Sequence, residues 1–132
     1  MGDHWDDFGD NPDMVAETSE WFTWSVNQSN RIHIFGNHCL HYAFPDKRFQ
    51  CSGYEQWKYF TINDIVSRKD WNRMIYYHIL DGKWLLTHAG LHNLHLPTKI
   101  FNLYKNRPLF LKKISDFLDE EIIKGLRGDS WA

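Results

Sequence analysis

Arg31-Ile32-His33-Ile34-Phe35-Gly36-Asn37-His38 is the stretch on which the reading of this chain turns. Its first five residues form an apolar, strand-like run, and Gly36 closes it. Asn37 and His38 then stand at the carboxyl end of the expected strand. Two other segments share this form. Met1-Gly2-Asp3-His4-Trp5-Asp6 lies upstream, and Trp84-Leu85-Leu86-Thr87-His88-Ala89-Gly90 lies downstream. Ligands of open α/β sheets bind beyond the carboxyl ends of strands. Three strand ends that deliver Asp3, Asn37 and His88 are therefore expected to converge on one metal site.

The surrounding pattern supplies helices. Asn11-Pro12-Asp13-Met14 marks a helix start, with Asn11 as the N-cap and Pro12 at the first helical position. Met14, Val15, Thr18, Trp21, Phe22 and Ser25 follow at helical spacing, which predicts a helix over about 12–28. Residues 39–53, broken by Pro45 and Gly53, read as irregular. A second helix is expected over 55–67, with Trp57, Phe60, Ile62, Ile65 and Val66 on its apolar face. Asp81-Gly82 between the apolar runs 74–80 and 83–87 predicts a hairpin. Pro97 and Pro108 open further helical stretches, the later one over 109–124. The Gly-Asp turn at residues 2 and 3 lacks the strand that should aim it, and residues 128–132 stop without a cap. Both ends read as cuts through a larger domain.

Bulk properties narrow the function classes. The 132 residues suffice for a real core, and 42% hydrophobic with 24% charged residues is ordinary for a globular domain. A net charge of −2 gives no electrostatic case for nucleic acid or an anionic membrane. No run approaches the 18 or so apolar residues of a membrane span, and the start resembles no signal peptide. Two cysteines make no disulfide framework, so a reducing, cytoplasmic setting is the expectation. The charge and spacing say nothing about oligomeric state.

The candidate residues have definite chemistry. A carboxylate such as Asp3 can bridge two divalent cations about 3.5–4 Å apart, and Asp6 can ligate or orient a neighbour. The plain alternative is a solvated acidic cluster of Asp3, Asp6, Asp7 and Asp10. Asn37 offers a neutral oxygen ligand. His38 can protonate a leaving oxygen when a partner fixes its tautomer. The alternative for this pair is a turn with Asx-type bonding. His88 can donate a ring nitrogen to a metal, or sit buried against a backbone carbonyl. His41 and His4 stand close enough to the proposed site to touch substrate.

Taken in order, these segments resemble the calcineurin-like metallophosphoesterase superfamily, and its phosphoprotein-phosphatase-type branch most. Gly2-Asp3-His4-Trp5-Asp6 resembles the Gly-Asp-x-x-Asp block of that family. Gly36-Asn37-His38 resembles its Gly-Asn-His block, and Thr87-His88-Ala89-Gly90-Leu91 its His-Gly/Ala-Gly block. The blocks that precede and follow these three in the family have no counterpart here. Asp7 stands where many phosphoprotein phosphatases have a phosphate-gripping Arg, and Cys39 where Asp or Glu follows Gly-Asn-His.

The resemblance implies an α/β fold: a metallophosphoesterase-type β-sandwich flanked by helices, incomplete at both ends, with residues 1–132 as the central part of one domain. It implies two divalent metal ions (manganese, iron or zinc), with Asp3, Asn37 and His88 as metal ligands. Asn37 and His38 would bind substrate, His38 would be the catalytic acid, and Asp6 would hold its ring. The implied activity is hydrolysis of a phosphate ester, a hydrolase function of which the isolated chain is expected to be incapable through truncation. The rival expectation is a non-catalytic interaction module with an aromatic-rich binding surface, since the chain has 7 Trp, 6 Tyr and 9 Phe.

Overall fold

Helices dominate the described residues, α-helices with and without a local side-chain cap, and the sheet is small. The computed structural model describes residues 2–7 and 9–127, which fall into two compact units, one ending at Ile75 and the other beginning at Tyr76.

In the first unit, α1 (Pro12–Val26) starts where Asn11 Oδ1 accepts a hydrogen bond from the Met14 N–H at 3.0 Å. Its buried residues Val15, Ser19, Phe22 and Val26 recur every three or four positions and make one stripe. That stripe packs against α3 (Gln56–Ile65). Between them in sequence lies α2 (Asn37–Ala43), with Asn37 and His38 in its first turn. Next comes α4 (Arg68–Trp71), one turn long. It is started by a capping box in which Ser67 and Asp70 bond each other's backbone. Asp70 also accepts from Asn27 Nδ2 at 2.8 Å, which ties α4 to the end of α1.

The core of this unit is aromatic. Trp5, Phe22 and Trp71 are buried with ring centroids 5.2 to 5.5 Å apart. These are edge-on and tilted arrangements, which suit aromatic quadrupoles better than face-to-face stacking. Each indole N–H has a partner: Trp5 Nε1 donates to Ser19 Oγ at 3.2 Å, and Trp71 Nε1 to Asn63 Oδ1 at 3.0 Å.

In the second unit, β1 (Tyr77–Leu80) pairs antiparallel with β2 (Trp84–Thr87), in the register Tyr77↔Thr87 to Leu80↔Trp84. Asp81 and Gly82 both have positive φ, the I′-type geometry that Asp-Gly favours. The chain continues through α5 (Thr98–Phe101) into α6 (Arg107–Arg127). The Tyr77 hydroxyl donates to Asp119 Oδ1 at 2.6 Å and so ties the hairpin to α6.

Two expectations are corrected. The β-sandwich of a metallophosphoesterase-type fold is not present: the described residues contain six α-helices and one two-stranded antiparallel sheet, a mixture of α and β without a sandwich. The run 31–35 finds too little to pair with. Ile34 makes one isolated parallel bridge to Ile75, through Phe35 N–H to Ile75 O at 2.8 Å and Ile75 N–H to His33 O at 2.9 Å. Residues 2–6 cannot extend, because Gly2, Asp3 and Asp6 have φ of +61, +49 and +74°. The second correction concerns residues 39–53, which are not simply irregular. They contain most of α2 and a 3₁₀ turn at Lys47–Phe49. Among the described residues, no helix is long and apolar enough to cross a membrane.

Candidate metal and acid–base site

Trp5 lies between Asp3 and Asp6 in sequence. Its ring is sunk in the aromatic core, while the residues at Asp3 and Asp6 take left-handed backbone conformations. Asp tolerates that region better than most residues because its short side chain bonds locally. The result turns both carboxylates toward α2. Asp3 Oδ1 accepts from the His38 backbone N–H at 3.0 Å. Gly36, the N-cap of α2, has no side chain to offer, so Asp3 caps this helix from 35 residues away. Gly36 must be glycine for this contact. A Cβ there would lie 2.2 Å from Asp3 Oδ1 and 2.7 Å from the Asp3 nitrogen.

Asp6 is the hub of the site. Its carboxylate is almost wholly buried. Oδ1 accepts from the Tyr42 hydroxyl at 2.5 Å and from Lys58 Nζ at 3.2 Å. Oδ2 lies 2.9 Å from His38 Nδ1 and 2.7 Å from His41 Nε2. Burial alone would push this carboxyl up. The contacts from His41, Tyr42 and His38 outweigh it and hold Asp6 well below the usual carboxylate range. Burial and the Asp6 charge push the Tyr42 hydroxyl far above its ordinary value, so it remains a donor. Burial would pull Lys58 down, but Asp6 and Asp10 reverse this and keep it charged. The chain must approach closely here too: Gly53, at φ +91°, would place a Cβ 2.9 Å from that of Asp6.

Beside this hub stand two rings and a thiol. His38 and His41 are one helical turn apart on α2 and so share a face. Cys51 Sγ lies 3.7 Å from His38 Nδ1 and 3.4 Å from His41 Nδ1. The Asn37 amide nitrogen faces the same sulfur at 3.5 Å. His41 Nδ1 accepts from the Cys51 backbone N–H at 3.3 Å, which places the ring proton on Nε2. That Nε2 is buried and close to Asp6, yet too poorly aligned with it to make a hydrogen bond. Burial pushes the Cys51 thiol up, Asp6 and Asp3 add to this, and the Asn37 amide opposes it.

Of the residues singled out in the sequence, Asp3, Asp6 and His38 are joined in the first unit by the contacts above, and Asn37, next to His38, faces Cys51. His88 lies in the second unit, one residue beyond β2. His4 points inward. Its Nδ1 is 3.3 Å from Cys39 Sγ and its Nε2 3.3 Å from His33 Nδ1. Burial, then the neighbouring His33, lowers the His4 imidazole to about 4, so it is neutral at neutral pH. Cys39 is fully buried, and burial pushes its thiol up. It fills the core where the resemblance has an acidic residue.

The sequence reading gave no role to Cys51, Tyr42 or Lys58. One signal pointed toward the cluster. His38-x-x-His41 puts two imidazoles on one face when the segment is helical, but Pro45 and Gly53 give 39–53 an irregular pattern. Comparisons with protein-family models, curated proteins and solved structures find no match to this chain.

Proposed function

We propose that the first unit carries the acid–base and metal-binding residues of a metal-dependent phosphate-ester hydrolase. Asp3 and Asn37 are its metal ligands, His38 its general acid, and Asp6 the residue that positions His38. The observation that carries this reading is the double hold on His38. Its backbone N–H is bonded to Asp3, and its Nδ1 lies 2.9 Å from Asp6 Oδ2. Two carboxylates from one short segment thus fix both the place and the tautomer of one imidazole.

The donor set suits the expected metals. Carboxylate and amide oxygens favour hard or borderline divalent ions such as manganese, iron or zinc. A pair of such ions, when bound, polarises phosphoryl oxygens and activates water for in-line attack. The chain's own residues do the rest. With Nδ1–H directed to Asp6, the His38 ring presents Nε2 to the ester. Its side chain is 24% exposed, enough to meet a substrate. As the P–O bond breaks, the Nε2 proton passes to the leaving oxygen, and Asp6 stabilises the ring while it is charged. Asp6 can do this because its own carboxyl stays ionised.

Binding tests this reading directly. Inorganic phosphate should bind the full chain only when manganese is supplied, as followed by calorimetry. Asp3→Asn should abolish that dependence, and His38→Ala should leave manganese binding unchanged. Phosphate binding that ignores manganese, or that survives Asp3→Asn, would overturn the assignment. In any context where the centre turns over, His38→Ala should slow an aryl phosphate ~10²–10⁴-fold, the usual share of general acid catalysis.

One observation favours the rival reading of an interaction surface. Trp21 and Trp24 on α1 are about half exposed, at 47% and 53%, and the Arg31 guanidinium sits 4.5 Å over the Trp24 ring. A protein that binds no manganese and no phosphate, yet loses a partner on Trp24→Ala, would belong to that class.

A further inference from the structure

We propose a separate metal site in the first unit: His38, His41 and Cys51 hold a single thiophilic divalent ion of the zinc class. This goes beyond the phosphoesterase reading, whose ligands are Asp3 and Asn37, and does not depend on it. Among the described residues, these three are the one group of three or more His, Cys, Asp and Glu side chains whose ligand atoms lie within 4.8 Å of one another.

The two sulfur–nitrogen separations match those around a shared ion. Zinc takes sulfur at about 2.3 Å and imidazole nitrogen at about 2.0–2.1 Å in tetrahedral geometry, which puts S and N about 3.5 Å apart. Cys51 Sγ stands 3.4 Å from His41 Nδ1 and 3.7 Å from His38 Nδ1. These are soft and borderline donors, a set that selects zinc-class ions over magnesium or calcium. Three protein ligands also leave a fourth position open, as single-ion sites with an exchangeable ligand do.

The surroundings are built to support ligation. A metal-bound imidazole almost always directs its other ring nitrogen to a carboxylate or carbonyl. His41 is poised for this: Nε2, buried and without a hydrogen bond, lies 2.7 Å from Asp6 Oδ2, while Nδ1 faces the sulfur and must give up the Cys51 N–H it now accepts at 3.3 Å. A small rotation of the ring on ligation would complete that bond. The Cys51 thiol must lose its proton to bind, and that proton goes to solvent, since Cys51 is only half-buried. His38 must release its contact with Asp6 to offer Nδ1. The imidazole therefore serves either this ion or the proton transfer assigned to it above, never both together.

Cobalt(II) is the probe, because a cysteine thiolate bound to it gives a charge-transfer absorption in the near ultraviolet. One cobalt per chain should produce that band, and zinc should remove it by displacement. Cys51→Ala should abolish it, Asp6→Asn should weaken cobalt affinity roughly 10–100-fold as an orienting partner does, and Asp3→Asn and Cys39→Ala should leave it intact. Far-ultraviolet circular dichroism checks that each variant folds. A second measurement needs no variant: zinc should protect Cys51 of the full chain from alkylation, read by mass spectrometry. No band, a band that survives in Cys51→Ala, or alkylation of Cys51 at the same rate with and without zinc would overturn the site. Because Asp3→Asn separates the two ion-binding events, failure here leaves the manganese and phosphate tests standing.

Discussion

Lys58 and Asp6 form a buried ion pair, with Nζ 3.2 Å from Oδ1 and both side chains almost fully enclosed. The pair joins α3 to the segment that carries Asp3, 52 residues away. Removing one partner of such a pair leaves the other charge buried and unmatched, which costs far more than the pair contributes. Lys58→Met is expected to lower stability by about 3 kcal/mol. Urea denaturation of the two proteins side by side measures it. A loss under ~1 kcal/mol would mean that Tyr42 and the two imidazoles alone satisfy Asp6.

Gly36→Ala tests the cap on α2. The φ of Gly36, −105°, suits alanine, so any loss comes from the collision with Asp3. Expected destabilisation is about 1–3 kcal/mol, as for other overpacked sites. Manganese affinity should fall in the same variant, because Asp3 must move aside. An alanine protein with unchanged melting and unchanged affinity would show that the approach is looser than 2.2 Å implies.

Trp5 is buried in the core between Asp3 and Asp6 in sequence, so its truncation is expected to act twice. Trp5→Ala should cost about 3–5 kcal/mol, the usual range for emptying a large aromatic site. Trp5→Phe keeps most of the volume and loses only the hydrogen bond to Ser19 Oγ, about 1 kcal/mol. If the phenylalanine variant keeps its fold but loses metal binding, the indole positions Asp3 and Asp6 more tightly than packing alone requires.

Acid should destabilise the first unit partly through Asp70. Burial would raise this carboxyl, but its bonds with Ser67 and Asn27 prevail and hold it below the ordinary value. A carboxyl with a depressed folded pKa contributes stability that is present above its unfolded value, about 3.9. That stability disappears as pH falls through the lower folded value. Asp70→Asn should therefore be less stable by about 1–2 kcal/mol at neutral pH. The gap between the two proteins should close below about pH 4. Chemical denaturation at a series of pH values reads the gap, and a constant difference would remove Asp70 from the account.

Local signals survived into the structure and distant ones did not. Asn11-Pro12 starts α1 because a cap and a fixed φ act within one turn. Asp81-Gly82 makes the hairpin turn because both residues accept positive φ. The sandwich failed for a nonlocal reason. Apolar runs such as 31–35 state a wish for a strand but not the presence of a partner, and Ile34 found one bridge. The helix α2 was missed because its cap is Asp3, far upstream, rather than a residue next to Gly36. At the site, the contact between Asp6 and His38 came from the resemblance of two motif blocks. Tyr42 and Lys58 carry no motif, and only the folded chain brings them to Asp6.

If Asp3 takes the ion proposed for it, its cap on α2 makes ion capture and helix order one equilibrium. An ion that draws Oδ1 away from the His38 N–H unties the first turn of a seven-residue helix, and that turn carries Asn37 and His38 themselves. By linkage, whatever steadies α2 weakens the pull of the ion on this oxygen, and the ion in turn loosens α2 by the same free energy. The carboxylate is thus a joint between composition of the medium and backbone order. Amide hydrogen exchange at residues 37–40 should report free manganese as faithfully as any measurement of the metal.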